Sequence, residues 1–167
     1  MDLRLNNTLL GTAGALVAAA SLAVTGLTAA SAHTSAVSGT EHFQSMAASA
    51  TAIPVVIASG VFTDHGVNHP GAKADTFVLQ RGSFQLAHKV TSAIHHFNPK
   101  TCLGQVTLKG TYTVGHGTGK YTGISGSGTL VFSQLFIEAR ASGKCTTAKP
   151  PVAVQVILKE SGPVSLP

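Results

Sequence analysis

An all-β fold is predicted for most of this 167-residue chain. Three observations carry the prediction. Apolar and polar residues alternate with a period of two in several runs, Gly, Pro and Asn recur between those runs, and the composition is rich in Thr, Ser and Val with only 10% charged residues. Convincing helical periodicity is absent beyond residue 32. Strands linked mostly by short turns, without crossover helices, point equally to a single antiparallel closed β-barrel and to a β-sandwich. An immunoglobulin-like sandwich would carry a Cys…Trp…Cys signature, and the chain has no tryptophan.

Residues 1–32 read as a secretory signal peptide. Arg4 precedes an uncharged apolar run from Leu9 to Leu27, and Ala30-Ser31-Ala32 puts small residues before a cleavage point at His33. An uncleaved anchor is the rival reading, because the run approaches the roughly 20 residues that span a bilayer. Its Gly and Thr residues and the Ala-x-Ala end favour cleavage. No second apolar run of spanning length follows, so the expectation is a secreted protein, extracellular or in the cell envelope, with no membrane span after cleavage. Residues 33–52, rich in Ser, Ala and Thr without a sustained pattern, are expected to form a flexible leader, and 53–167 the β-barrel domain. Cys102 and Cys145 form an even pair too far apart for a Cys-x-x-Cys motif, and a structural disulfide is expected.

Each strand has its own signal. Val55 to Asp64 alternates, with Val56 and Phe62 on one side and Val55, Ile57 and Val61 on the other. The segment from Asp64 to Gly71 reads as a loop by its Gly, Asn and Pro content. Ala74 to Arg81 and Ser83 to Val90 read as a hairpin turning near Gly82, with Phe84, Leu86, His88 and Val90 on one face. Thr91 to Gly104 reads as a longer connection. Gln105 to Val114 alternates most cleanly, with Val106, Leu108, Tyr112 and Val114 inward. Thr129 to Arg140 is apolar on both faces, and Val152 to Lys159 is the last strand. The count is six or seven.

The most distinctive segment is Gly115 to Gly128, which holds six glycines in fourteen residues. Such density marks sharp turning or close backbone approach, and Gly119 and Gly126 are expected at crowded positions with positive φ. It is not a phosphate loop: Val114 and Tyr121 occupy the positions where that motif needs Gly and Ser or Thr, and no strand-to-helix context follows. Gly117-Thr118-Gly119-Lys120-Tyr121 with Gly123, Gly126 and Gly128, preceded by Gly110-Thr111-Tyr112-Thr113-Val114, resembles the glycine-rich hairpin of the dirigent and allene oxide cyclase family. That resemblance covers about thirty residues closely and implies an eight-stranded barrel whose central cavity takes an apolar small molecule. Family members steer phenoxy-radical coupling or cyclise an unsaturated fatty epoxide. Their functional residues do not map onto this chain position by position, so no catalytic role carries over.

Charge and motifs exclude more than they assign. Eleven Lys and Arg against six Asp and Glu give a net charge of +5, but the lysines are scattered singly, without the basic stripe and flanking aromatics of a nucleic-acid surface. No Gly-x-Ser-x-Gly elbow is present, and Glu41, Asp64, Asp75, Glu138 and Glu160 show no pairing suited to glycoside cleavage. All eight histidines follow the signal segment. His65 and His69, and the adjacent His95 and His96, are weak metal candidates in expected loops, against a default of solvent-exposed imidazoles, and no metal or other cofactor is called for. His88, on an apolar face, and Glu138, at even spacing from Phe132 and Gln134 with Arg140 as a possible partner, join Tyr112 as candidate polar groups in a barrel cavity. The reading is therefore a secreted β-barrel that binds a small apolar molecule through His88, Tyr112, Phe132, Gln134 and Glu138. Binding without turnover is preferred to catalysis, which would be a cyclase-like isomerisation. The alternatives are a cell-surface structural or interaction module and metal binding through the histidine loops.

Overall fold

The computed structural model describes residues 36–49 and 51–167, and all of its regular structure is β apart from one 3-10 turn. The expected signal peptide, 1–32, and its cleavage point lie outside the described residues. Ten strands follow in order: β1 Val37–Ala47, β2 Val55–Ser59, β3 Asp64–His69, β4 Ala74–Leu79, β5 Gly82–Asn98, β6 Leu103–Gly115, β7 Ser125–Ile137, β8 Ala139–Ala141, β9 Lys144–Thr146 and β10 Ala153–Leu166. Eight of them pair antiparallel in one large sheet, in the order β1-β10-β7-β6-β5-β4-β3-β2, and β2 returns to β1, so the pairing runs in a ring. The small β8–β9 hairpin stands apart. No helix among the described residues is long and apolar enough to cross a membrane.

Residues 37–47, expected in a flexible leader, instead form β1, which pairs along its whole length with β10. Its inward positions are Glu41, Phe43, Ser45 and Ala47, all buried. Two polar residues among those four hide the alternation that a hydrophobicity pattern would reveal. Two expected loops are also strands. Asp64 to His69 is β3, and Thr91 to Asn98 continues β5 into a hairpin with β6 that extends past the ring. The hairpin's tip is solvated, so nothing forces apolar alternation on it. A bulge at Thr91, whose hydroxyl donates to the Lys109 carbonyl at 3.2 Å, shifts the register between Val90 and Ser92 and exchanges the two faces beyond it. The Gly82 hairpin forms as expected.

The glycine-rich connection between β6 and β7 folds over one end of the ring. Thr118 N–H donates to the Ser83 carbonyl at 2.7 Å and Lys120 N–H to the Arg81 carbonyl at 2.9 Å, which presses the loop onto the β4–β5 turn. Gly119 has φ +59, and a Cβ there would lie 2.5 Å from the Arg81 carbonyl oxygen. Gly126 has φ +156, and its Cβ would lie 2.3 Å from the Pro163 oxygen. Both crowded glycines are therefore required by backbone approach. The loop delivers Tyr121, 1% exposed, into an aromatic cluster with Phe43, Phe62, Phe77, Phe84 and Tyr112, whose ring centroids lie 4.8–6.2 Å apart. This half of the interior is solid.

At the opposite end, the Cys102–Cys145 disulfide ties the β5–β6 tip to the β8–β9 hairpin, closing a separation of 43 residues. On the chain-entropy model such a loop stabilises the fold by about 4 kcal/mol. The double variant Cys102→Ser/Cys145→Ser is expected to lose stability of about that size in urea denaturation, with the far-UV spectrum of the folded state unchanged.

Candidate functional site

The half of the ring away from the glycine loop is hollow. A cavity of about 230 Å³ opens at a rim formed by Pro54, Pro70 and Gly71. Its wall is apolar, built from Leu108 on β6, Leu130 and Phe132 on β7, and Val156 and Leu158 on β10, with Val90 near the rim. The polar groups are Ser45 on β1, Asn68 on β3, Asp75 on β4, His88 on β5 and Glu160 on β10. Each of these five sits at a position whose alternation places it inside the ring.

Their hydrogen bonding is uneven. Asn68 Nδ2 donates to Asp75 Oδ2 at 3.0 Å, and Gly71 N–H donates to Asp75 Oδ1 at 3.1 Å, so both Asp75 oxygens have a donor. His88 Nδ1 lies 4.0 Å from Asp75 Oδ1. In contrast, Ser45 Oγ, Asn68 Oδ1 and Glu160 Oε2 are buried with no hydrogen-bond partner among the described residues. Burial, reinforced by the charge of Asp75, pushes the Glu160 carboxyl up to about 8, so it holds its proton at neutral pH. Behind it, Tyr112 is raised to about 12 by burial and by the Glu160 and Glu41 charges. Burial also raises Glu41, against hydrogen bonds from backbone N–H groups such as that of Phe62.

The closed end has the opposite electrostatics. Burial alone would raise the Asp64 carboxyl, but Tyr121 Oη donates to it at 2.5 Å, His65 N–H at 2.8 Å and Arg81 Nε at 3.2 Å. These bonds outweigh burial and hold Asp64 at about 2. Burial raises the Tyr121 hydroxyl most and its bond to Asp64 raises it further, against the opposing charge of Arg81. Asp64 is therefore a structural latch under the glycine loop.

Of the residues singled out from the sequence, His88 and Phe132 line the cavity. Tyr112 is one layer deeper, 1% exposed, and its hydroxyl has no partner among the described residues. Gln134 follows Phe132 on the same face but is half-buried beside Val106 and Val156, outside the cavity lining. Glu138 is not at the cavity. It lies beyond β7, where its N–H donates to the Cys102 carbonyl at 2.9 Å, and it lines a separate surface depression with His95, His96 and Phe136. Its expected partner Arg140 instead donates to the carbonyls of Lys100 and Gly143. Even spacing sets a face only while the strand lasts, and β7 ends at Ile137.

The histidine pairs do not converge either. His65 and His69 lie on β3, where the strand rise sets positions four apart at about 13 Å, against about 6 Å on a helix. His95 and His96 are consecutive on β5 and point to opposite faces. No three His, Cys, Asp or Glu side chains among the described residues come together in a way that could hold a metal ion.

Sequence reasoning missed Ser45, Asn68, Asp75 and Glu160. Glu160 continues the Val154, Val156, Leu158 face at even spacing, and Asp75 shares its face with Phe77 and Leu79, so both were within reach of the alternation rule. Ser45 and Asn68 sit in segments read as leader and loop. No family model matches this chain, and searches of curated proteins and of solved structures return no match.

Two pH dependences follow. Folding raises Glu160 from 4.5 to about 8, so the folded state holds a proton that the unfolded state releases, and stability from this group declines as pH rises from 4.5 to 8. The slope is at most about 1.4 kcal/mol per pH unit. Glu160→Gln is expected to remove that decline in urea denaturation run at pH 5 and pH 8. Folding lowers Asp64 from 3.8 to about 2, so its contribution is complete above 3.8 and is lost as pH falls to 2. Asp64→Asn is expected to be less stable near neutrality and to show a smaller further loss on acidification, measured by thermal unfolding at pH 6 and pH 2.5.

Proposed function

We propose that this chain is a secreted β-barrel of the dirigent and allene oxide cyclase type that binds a small, largely apolar molecule. One observation carries the reading: the ring is sealed by Tyr121 at one end and hollow at the other, with an apolar wall leading to a few buried polar groups. A protein selected only for a stable core would have continued the Phe43, Phe77 and Phe84 packing to both ends, because unfilled space and unpartnered buried polar atoms both cost stability. The glycine-rich connection and the eight-stranded ring support the family likeness. The disulfide suits an oxidising compartment, which supports export.

Binding without turnover is the preferred form. Asp75 is engaged by Asn68 and Gly71, and no nucleophile stands beside a base in the cavity lining. A cyclase-like isomerisation would draw on Glu160 as a neutral acid.

The second reading, a surface interaction module, draws on the outer face of the strands beyond the bulge. There Ile94, Leu103, Val131, Leu135 and Ile137 are 39–45% exposed. This patch exists alongside the cavity, so surface contact would add to ligand binding and would not replace it.

Calorimetry of the full chain with naphthalene, a small neutral apolar probe, is expected to give saturable one-to-one binding. Filling the wall with Leu108→Trp should weaken it by roughly tenfold or more, with the circular dichroism spectrum unchanged. Absence of binding, or equal binding by the filled variant, would remove the ligand-binding reading.

A further inference from the structure

We propose that the molecule taken up by the cavity is an amphiphilic amine, with its apolar tail along the Leu108, Phe132 and Leu158 wall and its ammonium head among Glu160, Asp75, Asn68 and Ser45. The inference rests on the ligand-binding reading above and specifies the ligand's chemistry. It follows from which atoms the cavity leaves unmet. Glu160 is 4% exposed, Ser45 3% and Asn68 2%, and each of these cavity-lining residues has a buried polar atom with no partner among the described residues. The identity of the Asn68 atom is settled by chemistry. The Asp75 carboxylate can only accept, so the amide nitrogen faces Asp75 and the carbonyl Oδ1 is the atom left over.

The free atoms are thus a carbonyl oxygen, a carboxyl oxygen and a hydroxyl, with the oxygens of Asp75 close by. The Asn68 oxygen can only accept, and the Ser45 hydroxyl and the Glu160 carboxyl can accept as well as donate, so an ammonium, with three donors and a positive charge beside Asp75, complements all of them. A carboxylate or phosphate would meet the Asp75 carboxylate with no Lys or Arg in the lining to offset it. Among the described residues no Lys or Arg is buried, and none lines the cavity. Four of the five carboxylates in the described residues, Glu41, Asp64, Asp75 and Glu160, are buried inside the ring at 7% exposure or less. Asp64 is met by Arg81 at the closed end, whereas the cavity half holds Asp75 and Glu160 with His88 alone nearby. This interior is acidic although the whole chain carries +5. A preference for cations therefore cannot come from the overall field, which repels them; it must arise locally.

The uptake has a proton signature. The titratable groups around Glu160 are Asp75 on β4 and His88 on β5, which share the cavity lining with it, and Tyr112 on β6, which is in charge contact with both Glu160 and Glu41 on β1. With these around it, Glu160 holds its proton at pH 7 in the empty cavity. An ammonium beside it favours the carboxylate, so the Glu160 proton leaves to solvent as the ion pair forms.

The test is calorimetry of the full chain at pH 7 with three probes of one tail length: n-octylamine, 1-octanol and octanoate. Octylamine is expected to bind roughly tenfold or more tighter than octanol, octanoate not measurably, and the amine alone to release close to one proton, read from the heats in two buffers of different ionisation enthalpy. In Glu160→Gln the amine-to-alcohol ratio is expected to fall to roughly twofold and the proton release to vanish. Thermal unfolding of the variant confirms that it is folded, and Leu108→Trp should abolish amine binding. Octanol binding as tightly as octylamine, or a ratio and proton release that survive Glu160→Gln, overturns the amine assignment and leaves the apolar cavity reading standing. Amine binding that survives Leu108→Trp places the amine elsewhere and overturns it too. Failure of all three probes to bind removes both readings.

Discussion

The antiparallel register between β1 and β10 sets Val37 against Leu166 and Phe43 against Glu160, and through it the eight-strand sheet meets itself. A sheet closed in this way has no free edge among its long strands, and alternate residues of every strand must share one interior. Ring closure therefore decides which residues become neighbours. It brings Ser45 and Glu160, near the two ends of the described sequence, into one cavity with Asp75 and His88 from the middle. It also forces the glycine-rich connection to fold across one mouth, since β6 and β7 are paired on either side of it.

The interior so formed is divided. Toward the glycine loop, six aromatic rings and the Asp64–Tyr121–Arg81 contacts pack without space, and the carboxylate there is satisfied by donors. Toward the rim, a wall of Val, Leu and Phe132 surrounds open space, and Oε2 of Glu160 lacks a partner. Stability is concentrated at the first end and chemistry at the second. The two acidic residues mark the division: the carboxyl is depressed where donors converge and raised where burial acts without them.

Much of the fold was legible in the chain. The period-two pattern of Gln105 to Val114, the turn at Gly82 and the crowding at Gly119 and Gly126 reflect local constraints that any strand or tight turn imposes. The failures share a cause. β1 and β3 carry Glu41, Ser45, Asp64 and Asn68 at inward positions, so their buried faces are polar and a hydrophobic criterion passes over them. The β5–β6 tip fails for the reverse reason, because solvent reaches it and no pattern is selected. His88 and Phe132 were found at the cavity because their faces are otherwise apolar, whereas Glu138 was misplaced by extending a strand one residue beyond its end.

By itself, the sequence determined the all-β class, the hairpin at Gly82, the tight glycine corner and the pairing of its only two cysteines. These depend on alternation, backbone freedom and residue count, which are properties of neighbours along the chain. Only the tertiary structure decided that residues 37–47 complete the ring, that one end is filled and the other hollow, and that Ser45, Asn68 and Glu160 meet beside Asp75 with polar atoms unmatched. Those outcomes depend on which strands lie opposite one another across the interior, and strand register over such separations is set by the packing of the whole ring.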